Sequence, residues 1–245
     1  MLFPLAQIAR AYMALMGVGV VMFAAEFAAA PGRKIFRRTR WRLRPVSTGE
    51  RLLLDSVWRA LLGAFIAITG LLIALQTRHP SNIAMEITRL AAGVAILYGA
   101  ADFVFAACSL GALAAGYSSP LLHRTPIAAR SVGEFWGQRW NMIVSAWLRT
   151  FVFLPTARVA GVGLGLFCCF IVSGIFHAGP MWVALGRSAA LTTMAFFLIQ
   201  GVFVLAENRL HIRAWPIPIA RAWTLLIVLG TSPLFIDPAL RLFGL

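Results

Sequence analysis

The chain has 245 residues, of which 60% are hydrophobic and only 12% are charged. Charged residues make up roughly a quarter of a typical soluble domain, so this composition excludes an ordinary soluble protein. Several apolar runs approach or reach the roughly 18–20 residues that cross a bilayer as a helix, and they are continuous rather than alternating, which excludes a transmembrane β-barrel. We therefore predict an all-α fold, a polytopic helical membrane protein that forms a single membrane domain over residues 1–245.

The net charge is +14, from 22 basic and eight acidic residues. In a soluble protein this excess would suggest nucleic-acid binding. Here the basic residues fall mainly between the apolar runs, which favours cytoplasmic loops that face anionic headgroups, so we expect membrane lipids as partners and no nucleic acid. The three cysteines, Cys108, Cys168 and Cys169, lack the spacing of a disulfide framework or a metal site, and we expect neither a metal nor a bound cofactor.

The predicted spans, in chain order, cover residues 11–30, 57–76, 87–107, 159–177, 182–206 and 219–237. The last is the weakest, because Pro216, Pro218 and Pro233 flank or interrupt it. The first could instead be a signal peptide cleaved near Phe27–Ala30, but no charge precedes Arg10 and Pro31 would follow the cut.

The loop between the first two spans, residues 33–51, is strongly basic: seven of the twelve residues 33–44 are Arg or Lys. The positive-inside rule places this loop in the cytoplasm. With six spans, both termini are then predicted to be extracytoplasmic, in what we expect to be the bacterial inner membrane.

Segment 131–150 is predicted to be an amphipathic helix in the membrane interface. At helical spacing, one stripe carries Glu134, Gln138, Asn141, Ser145 and Arg149, and the opposite face carries Trp136, Trp140, Ile143 and Trp147. Three tryptophans on one face are typical of side chains at the headgroup level. Periodicity alone favours an interfacial helix with a solvated polar face that has no chemical role.

His177 closes the uncharged run that begins at Val159, and an ionisable residue in a membrane span predicts a functional site. Ser173 lies one turn earlier on the same face, and Gly174 is expected to leave room beside the imidazole. The alternative is a histidine that hydrogen-bonds a carbonyl group and only joins helices.

Two motifs resemble a known family. The first is Ser131-x-x-Glu-Phe-Trp-Gly-x-Arg-Trp-Asn141, and the second is Phe170-x-x-Ser-Gly-x-x-His177. Both are similar to signatures of the wax-synthase branch of the membrane-bound O-acyltransferases (MBOATs). The chain differs in two respects: Ala178 follows the histidine where the family commonly has an acidic residue, and the chain is short, so we expect a smaller substrate chamber.

The resemblance implies acyl transfer from acyl-CoA, as co-substrate, to the hydroxyl group of a lipophilic alcohol or lipid. It implies that His177 is the general base and that Asn141 binds the acyl carbonyl or holds His177 in place. The substrate-binding residues that it implies are Glu134, Gln138, Arg139, Trp140, Ser173 and Gly174. Arg124, Arg130 and Arg139 are expected on the cytoplasmic side, where the phosphates of CoA arrive.

Two other functions are compatible with the residues. Ionisable groups at Asp102, His177 and Glu207 would suit a small transporter or channel component with a polar pathway through the membrane. The chain could also be an inactive member of the family that binds lipid.

Overall fold

The computed structural model describes residues 3–29, 44–45, 50–118 and 121–245. Most of the predicted basic loop, residues 33–51, lies outside the described residues. Two compact units are present, residues 1–40 with 123–244 and residues 41–122 with Leu245. The single membrane domain predicted from composition stays a prediction.

The smaller unit is a hairpin of two long antiparallel helices, α2 (Glu50–Gln76) and α3 (Ile83–Ala114). Asn82 begins α3 by accepting a hydrogen bond from the Met85 amide at 3.0 Å. Glycine lets the two backbones approach closely, since a Cβ atom at Gly99 would lie 2.6 Å from the carbonyl oxygen of Gly63. Two short strands, β1 (Arg44–Pro45) and β2 (Tyr117–Ser118), pair antiparallel in this unit.

The larger unit contains the remaining helices. They are α1 (Phe3–Ala29), α4 (Val132–Glu134), α5 (Met142–Leu148), α6 (Leu154–Leu185), α7 (Arg187–Leu210), α8 (Ile217–Thr231) and α9 (Pro233–Leu242). Short 3₁₀ turns cover Pro126–Ala128 and Ile212–Ala214, and π-helical turns cover Phe135–Arg139 and Arg149–Phe153.

The hairpin of α6 and α7 forms the centre of the larger unit. Gly186, with φ at +88°, ends α6 and lets the chain reverse directly into α7. Its core is built from side chains of α4, α6, α7 and α8, namely Val132, Phe170, Phe196, Phe197, Val204 and Ile227. Val132 belongs to the first sequence motif and Phe170 to the second, so both motifs contribute to this core.

The prediction of an all-α polytopic membrane protein is confirmed. Five helices among the described residues are long and apolar enough to cross a membrane, and α8 with α9 makes a sixth if this pair, bent by 43°, is one span. The bend falls at Pro233, one of the prolines that weakened the prediction of the last span.

The predicted end of the fourth span at His177 is wrong. Helix α6 continues for two further turns to Leu185, with Pro180 inside it. Neighbouring helices accommodate a proline at this depth, so Pro180 does not end the helix. The local break lies earlier, at Gly161, whose φ of +87° and ψ of 161° interrupt the helical backbone.

The predicted continuous helix over 131–150 is also wrong. Asn141 has φ +39° and ψ 69°, in the left-handed region, and separates the π-helical turn Phe135–Arg139 from α5. Asparagine adopts this conformation more readily than most residues. Because the helix is interrupted, the polar stripe expected from a uniform 100° spacing does not form.

Candidate active site

His177 of α6 packs against aromatic rings of α7 and α9. Its Nδ1 atom lies 2.8 Å from the carbonyl oxygen of Ser173. The centroid of its ring lies 4.7 Å from the ring centroid of Phe197 and 5.5 Å from that of Phe235. A carbonyl oxygen only accepts, so in the neutral imidazole Nδ1 carries the proton and Nε2 carries the free lone pair. The geometry therefore holds the tautomer in which Nε2 can accept a proton.

Ser173 and Gly174 are both buried on the face of α6 that meets α7. A Cβ atom at Gly174 would overlap the sulfur of Met194 and lie 3.3 Å from the Cβ of Phe197. The expected open space beside His177 at this position is therefore wrong, because α7 fills it. Gly174 allows the close helix approach that brings Phe197 against the imidazole.

Asn141 caps the helix that follows it. Its Oδ1 accepts a hydrogen bond from the Val144 amide at 3.3 Å, which identifies the oxygen of the side-chain amide. The NH₂ group makes no hydrogen bond within the described part of the chain. No hydrogen bond joins Asn141 to His177 within the described residues, where Asn141 Oδ1 accepts from the Val144 amide and His177 Nδ1 is bonded to Ser173.

The three tryptophans of this segment pack within the protein rather than along one interfacial face. Trp136 donates a hydrogen bond to Gln200 at 2.9 Å, and Trp147 donates one to the carbonyl of Met22 at 3.2 Å. Trp140 lies 4.5 Å from the ring of His123. Trp136 and Trp140 are in ring contact, with centroids 6.4 Å apart, whereas Trp147 packs against Phe151 and Phe176, so the predicted single face of three tryptophans is wrong. A position of these rings at the headgroup level stays a prediction.

Glu134 and Arg139 form a polar cluster outside the membrane-spanning helices. The Glu134 carboxylate accepts from Arg139 Nε at 2.6 Å and from the Arg130 amide at 2.9 Å. Arg139 also donates to the carbonyl groups of Arg124 and Thr125 at 3.0 and 3.3 Å. Burial acts to raise the pKa of Glu134, but these hydrogen bonds and the guanidinium charge outweigh it, and the pKa lies below its ordinary value.

The other predicted substrate-binding residues lie close by. Gln138 is exposed, and Trp140 stacks on Phe135 with ring centroids 5.7 Å apart. Glu134 and Arg139 use several of their polar atoms within the protein, as described above. For all four, a contact with substrate stays a prediction.

Gln200 of α7 is a buried polar residue of this site that was not predicted from the sequence, and it is 0% exposed. Its Oε1 accepts the hydrogen bond from Trp136, and its Nε2 donates to the Thr231 hydroxyl at 2.6 Å. A signal was present, because Gln200 and Glu207 stand seven residues apart and so share one face of an apolar helix.

Glu207 was interpreted only as a possible pathway residue. Its carboxylate accepts hydrogen bonds from the amides of Val132 and Gly133, at 2.7 and 3.1 Å, and from Trp223 at 3.0 Å. Three donors stabilise this buried carboxylate and fix the start of α4 against α7. A carboxylate held in this way has a structural role, which argues against the transporter interpretation.

The fold thus joins the two motifs through the core of the larger unit. Trp136 of the first motif packs against Phe170 of the second, at 6.4 Å, and against Phe197, at 6.1 Å. Phe197 in turn contacts His177. The segment that ends at Asn141 is therefore held against the helix hairpin that carries the histidine.

Residues 119–199 match the model of the membrane bound O-acyl transferase family. This range contains both motifs, with Asn141 and His177. The resemblance predicted from the motifs is confirmed over this segment.

Known relatives are similar to part of the chain. The probable long-chain-alcohol O-fatty-acyltransferases 7 and 3 of Arabidopsis thaliana are each 33% identical, over 40% and 47% of this chain and 32% and 38% of their own lengths. The acyl-CoA–sterol O-acyltransferase 1 of the same plant is 36% identical over 34% of this chain and 26% of its own length. The chain spans about a third of the length of the first two relatives.

Proposed function

We propose that this protein is an integral-membrane O-acyltransferase that transfers an acyl group from acyl-CoA to the hydroxyl group of a lipophilic alcohol or lipid. The observation that carries the proposal is the hydrogen bond from His177 Nδ1 to Ser173, which leaves Nε2 as a proton acceptor inside a membrane-spanning helix. The family match over residues 119–199 and the names of the relatives support the reaction type.

His177 acts as the general base. Nε2 takes the proton of the acceptor hydroxyl as the oxygen attacks the thioester carbonyl, and the carbon–sulfur bond then breaks. The CoA thiolate leaves and receives the proton from Nε2, so the products are an ester and free CoA and the imidazole returns to its neutral form. A positioned base of this kind contributes about 10²–10⁴-fold to rate.

Asn141 donates a hydrogen bond to the acyl carbonyl oxygen. Its Oδ1 is held by the Val144 amide, which leaves the NH₂ group available as a donor. A neutral donor aimed at developing negative charge in a site that excludes water is worth about 3 kcal/mol.

The acceptor is hydrophobic. The helices that hold His177 surround it with aromatic rings, Phe197 and Phe235 among them, and such surfaces suit a lipid chain better than a sugar. Ser173, Gln138 and Trp140 contribute to the walls of the substrate site, whereas Gly174 serves the packing of α6 on α7.

The CoA moiety approaches from the cytoplasmic side, near Arg124 and Arg139, and acyl-CoA serves as co-substrate without a bound cofactor. The protein resides in the bacterial inner membrane, with the basic loop 33–51 in the cytoplasm and both termini outside. The distribution of basic residues supports this orientation.

The test is an assay of purified protein with two donors, acetyl-CoA and palmitoyl-CoA, and two acceptors, hexadecanol and glucose. We expect ester formation with hexadecanol, read out by chromatography of radiolabelled acyl product. Preference for glucose would contradict the hydrophobic acceptor. If neither acetyl-CoA nor palmitoyl-CoA gives product, the proposed acyl transfer is contradicted.

A further inference from the structure

Gln200 stands out as a fully buried amide in an apolar helix. It lies on the face of α7 that also carries Phe197, and none of its surface is exposed. Removing an amide from water without partners is unfavourable, so a buried glutamine is expected to make hydrogen bonds that fix other groups. Gln200 makes two, one to each neighbouring segment.

The first bond fixes Trp136. The indole Nε1 donates to Gln200 Oε1 at 2.9 Å, across 64 residues of sequence. Trp136 belongs to the segment that ends at Asn141, and its ring lies 6.0–6.1 Å from Phe196 and Phe197.

The second bond fixes the amide itself. Gln200 Nε2 donates to the Thr231 hydroxyl at 2.6 Å, and that hydroxyl donates in turn to the Ile227 carbonyl at 2.7 Å. The chain of bonds sets the amide orientation, because Nε2 must point towards α8 and Oε1 towards Trp136.

We propose that Gln200 is a positioning residue for acyl transfer, which holds Trp136 and, through it, sets the distance between Asn141 and His177. The inference rests on the proposed function. Gln200 acts indirectly, through Trp136 and Phe197. Trp136 packs against Phe197, and the ring centroid of Phe197 lies 4.7 Å from that of the His177 imidazole. Loss of the bond frees Trp136 to shift, and small displacements of reacting groups are costly in rate.

The test compares Gln200→Leu with Gln200→Glu and Trp136→Phe. Leucine keeps the approximate volume and removes both hydrogen bonds. A glutamic acid that stays neutral in this buried position offers one acceptor oxygen and one O–H donor, so it can replace both bonds. Phenylalanine at 136 keeps an aromatic ring and removes only the indole donor. Gln76→Leu, at an exposed glutamine of α2, is the matched control.

We expect kcat to fall roughly 10- to 100-fold in Gln200→Leu, with KM for acyl-CoA changed by no more than about twofold. Gln200→Glu should recover most of the activity, and Gln76→Leu should equal the wild type. The double variant of Gln200→Leu and Trp136→Phe should lose no more than Gln200→Leu alone, because that change already removes the hydrogen bond between Trp136 and Gln200.

Three results would overturn the inference: unchanged kcat in Gln200→Leu, losses that multiply in the double variant, or no recovery in Gln200→Glu. Trp136→Phe tests the same bond even if Gln200→Leu fails to fold. An inactive wild-type protein would instead contradict the proposed function, so the two failures are distinguishable.

Discussion

The imidazole of His177 is oriented by the carbonyl group of Ser173, one turn earlier in the same helix, at 2.8 Å from Nδ1. The position after the histidine, often acidic in the family that the motifs resemble, is Ala178 here. The backbone of α6 thus performs the orienting task that a carboxylate performs in many histidine-dependent sites. The proposed base at Nε2 depends on the helical geometry of residues 173–177.

The role proposed for Asn141 can be separated from its effect on the backbone. Asn141→Gly keeps the left-handed conformation at low cost and loses the side-chain amide, whereas Asn141→Ala also strains the backbone at φ +39°. If the amide donates to the acyl carbonyl, both variants should lose about 10²–10³-fold in kcat. Steady-state kinetics with palmitoyl-CoA and hexadecanol measures this. Near-normal turnover in Asn141→Gly would restrict Asn141 to a structural role.

Gly174 is predicted to be essential for the packing of α6 on α7. Gly174→Ala places a methyl group against Met194 and Phe197 and should cost about 1–3 kcal/mol of stability, read as a lower unfolding temperature in detergent. Gly179→Ala is the matched control in the same helix, because a Cβ atom there meets nothing within 4 Å. Equal thermal stability of the two variants would contradict the packing described here.

The Glu134–Arg139 cluster should make stability depend on acidic pH. Because the pKa of Glu134 is lowered in the folded protein, its contribution is complete above the unfolded value of about 4.3 and is lost as the pH falls through the folded value. Glu134→Gln should therefore be less stable near pH 7, by about 1 kcal/mol for a partly exposed pair, and should lose less on acidification below pH ~4.

Unfolding temperatures measured at several pH values test this prediction. Arg139→Gln should show the same weakened dependence, because it removes one of the groups that lower the pKa. If the unfolding temperatures of the wild-type protein and of Glu134→Gln change with pH in parallel, the Glu134–Arg139 pair does not stabilise the fold.

The membrane orientation can be tested by cysteine labelling. In a variant without its three natural cysteines, a cysteine at position 47 should react only after the membrane is permeabilised. A cysteine at position 81 should react from outside. Labelling of both positions in intact cells would overturn the six-span orientation with external termini.

Sequence patterns predicted those parts of the structure that depend on local composition. Continuous apolar runs are sufficient to identify membrane helices, so α2, α3 and α7 were anticipated, with ends that differ from the structure by up to seven residues. The end of α6 was placed wrongly at His177, where the uncharged apolar run closes, because the helix continues through Pro180 to Leu185.

The site was only partly predictable because its key hydrogen bonds join distant residues. The motifs identified His177 and Asn141, but helical periodicity could not show that Asn141 turns the chain. The bonds of Trp136 to Gln200 and of Val132 to Glu207 span 64 and 75 residues. Local spacing cannot predict such pairs. It shows only that Gln200 and Glu207 lie on one face of α7.

The most direct test of acyl transfer at His177 compares ester formation from palmitoyl-CoA and hexadecanol by the wild-type protein, His177→Ala and the control His79→Ala, which changes an exposed histidine. The three proteins are compared at equal amounts of folded protein. We predict that wild type and His79→Ala form hexadecyl palmitate at equal rates, and that His177→Ala loses at least about 10²-fold. Turnover by His177→Ala at more than a few per cent of the wild-type rate, or no ester from the wild-type protein, would contradict the account.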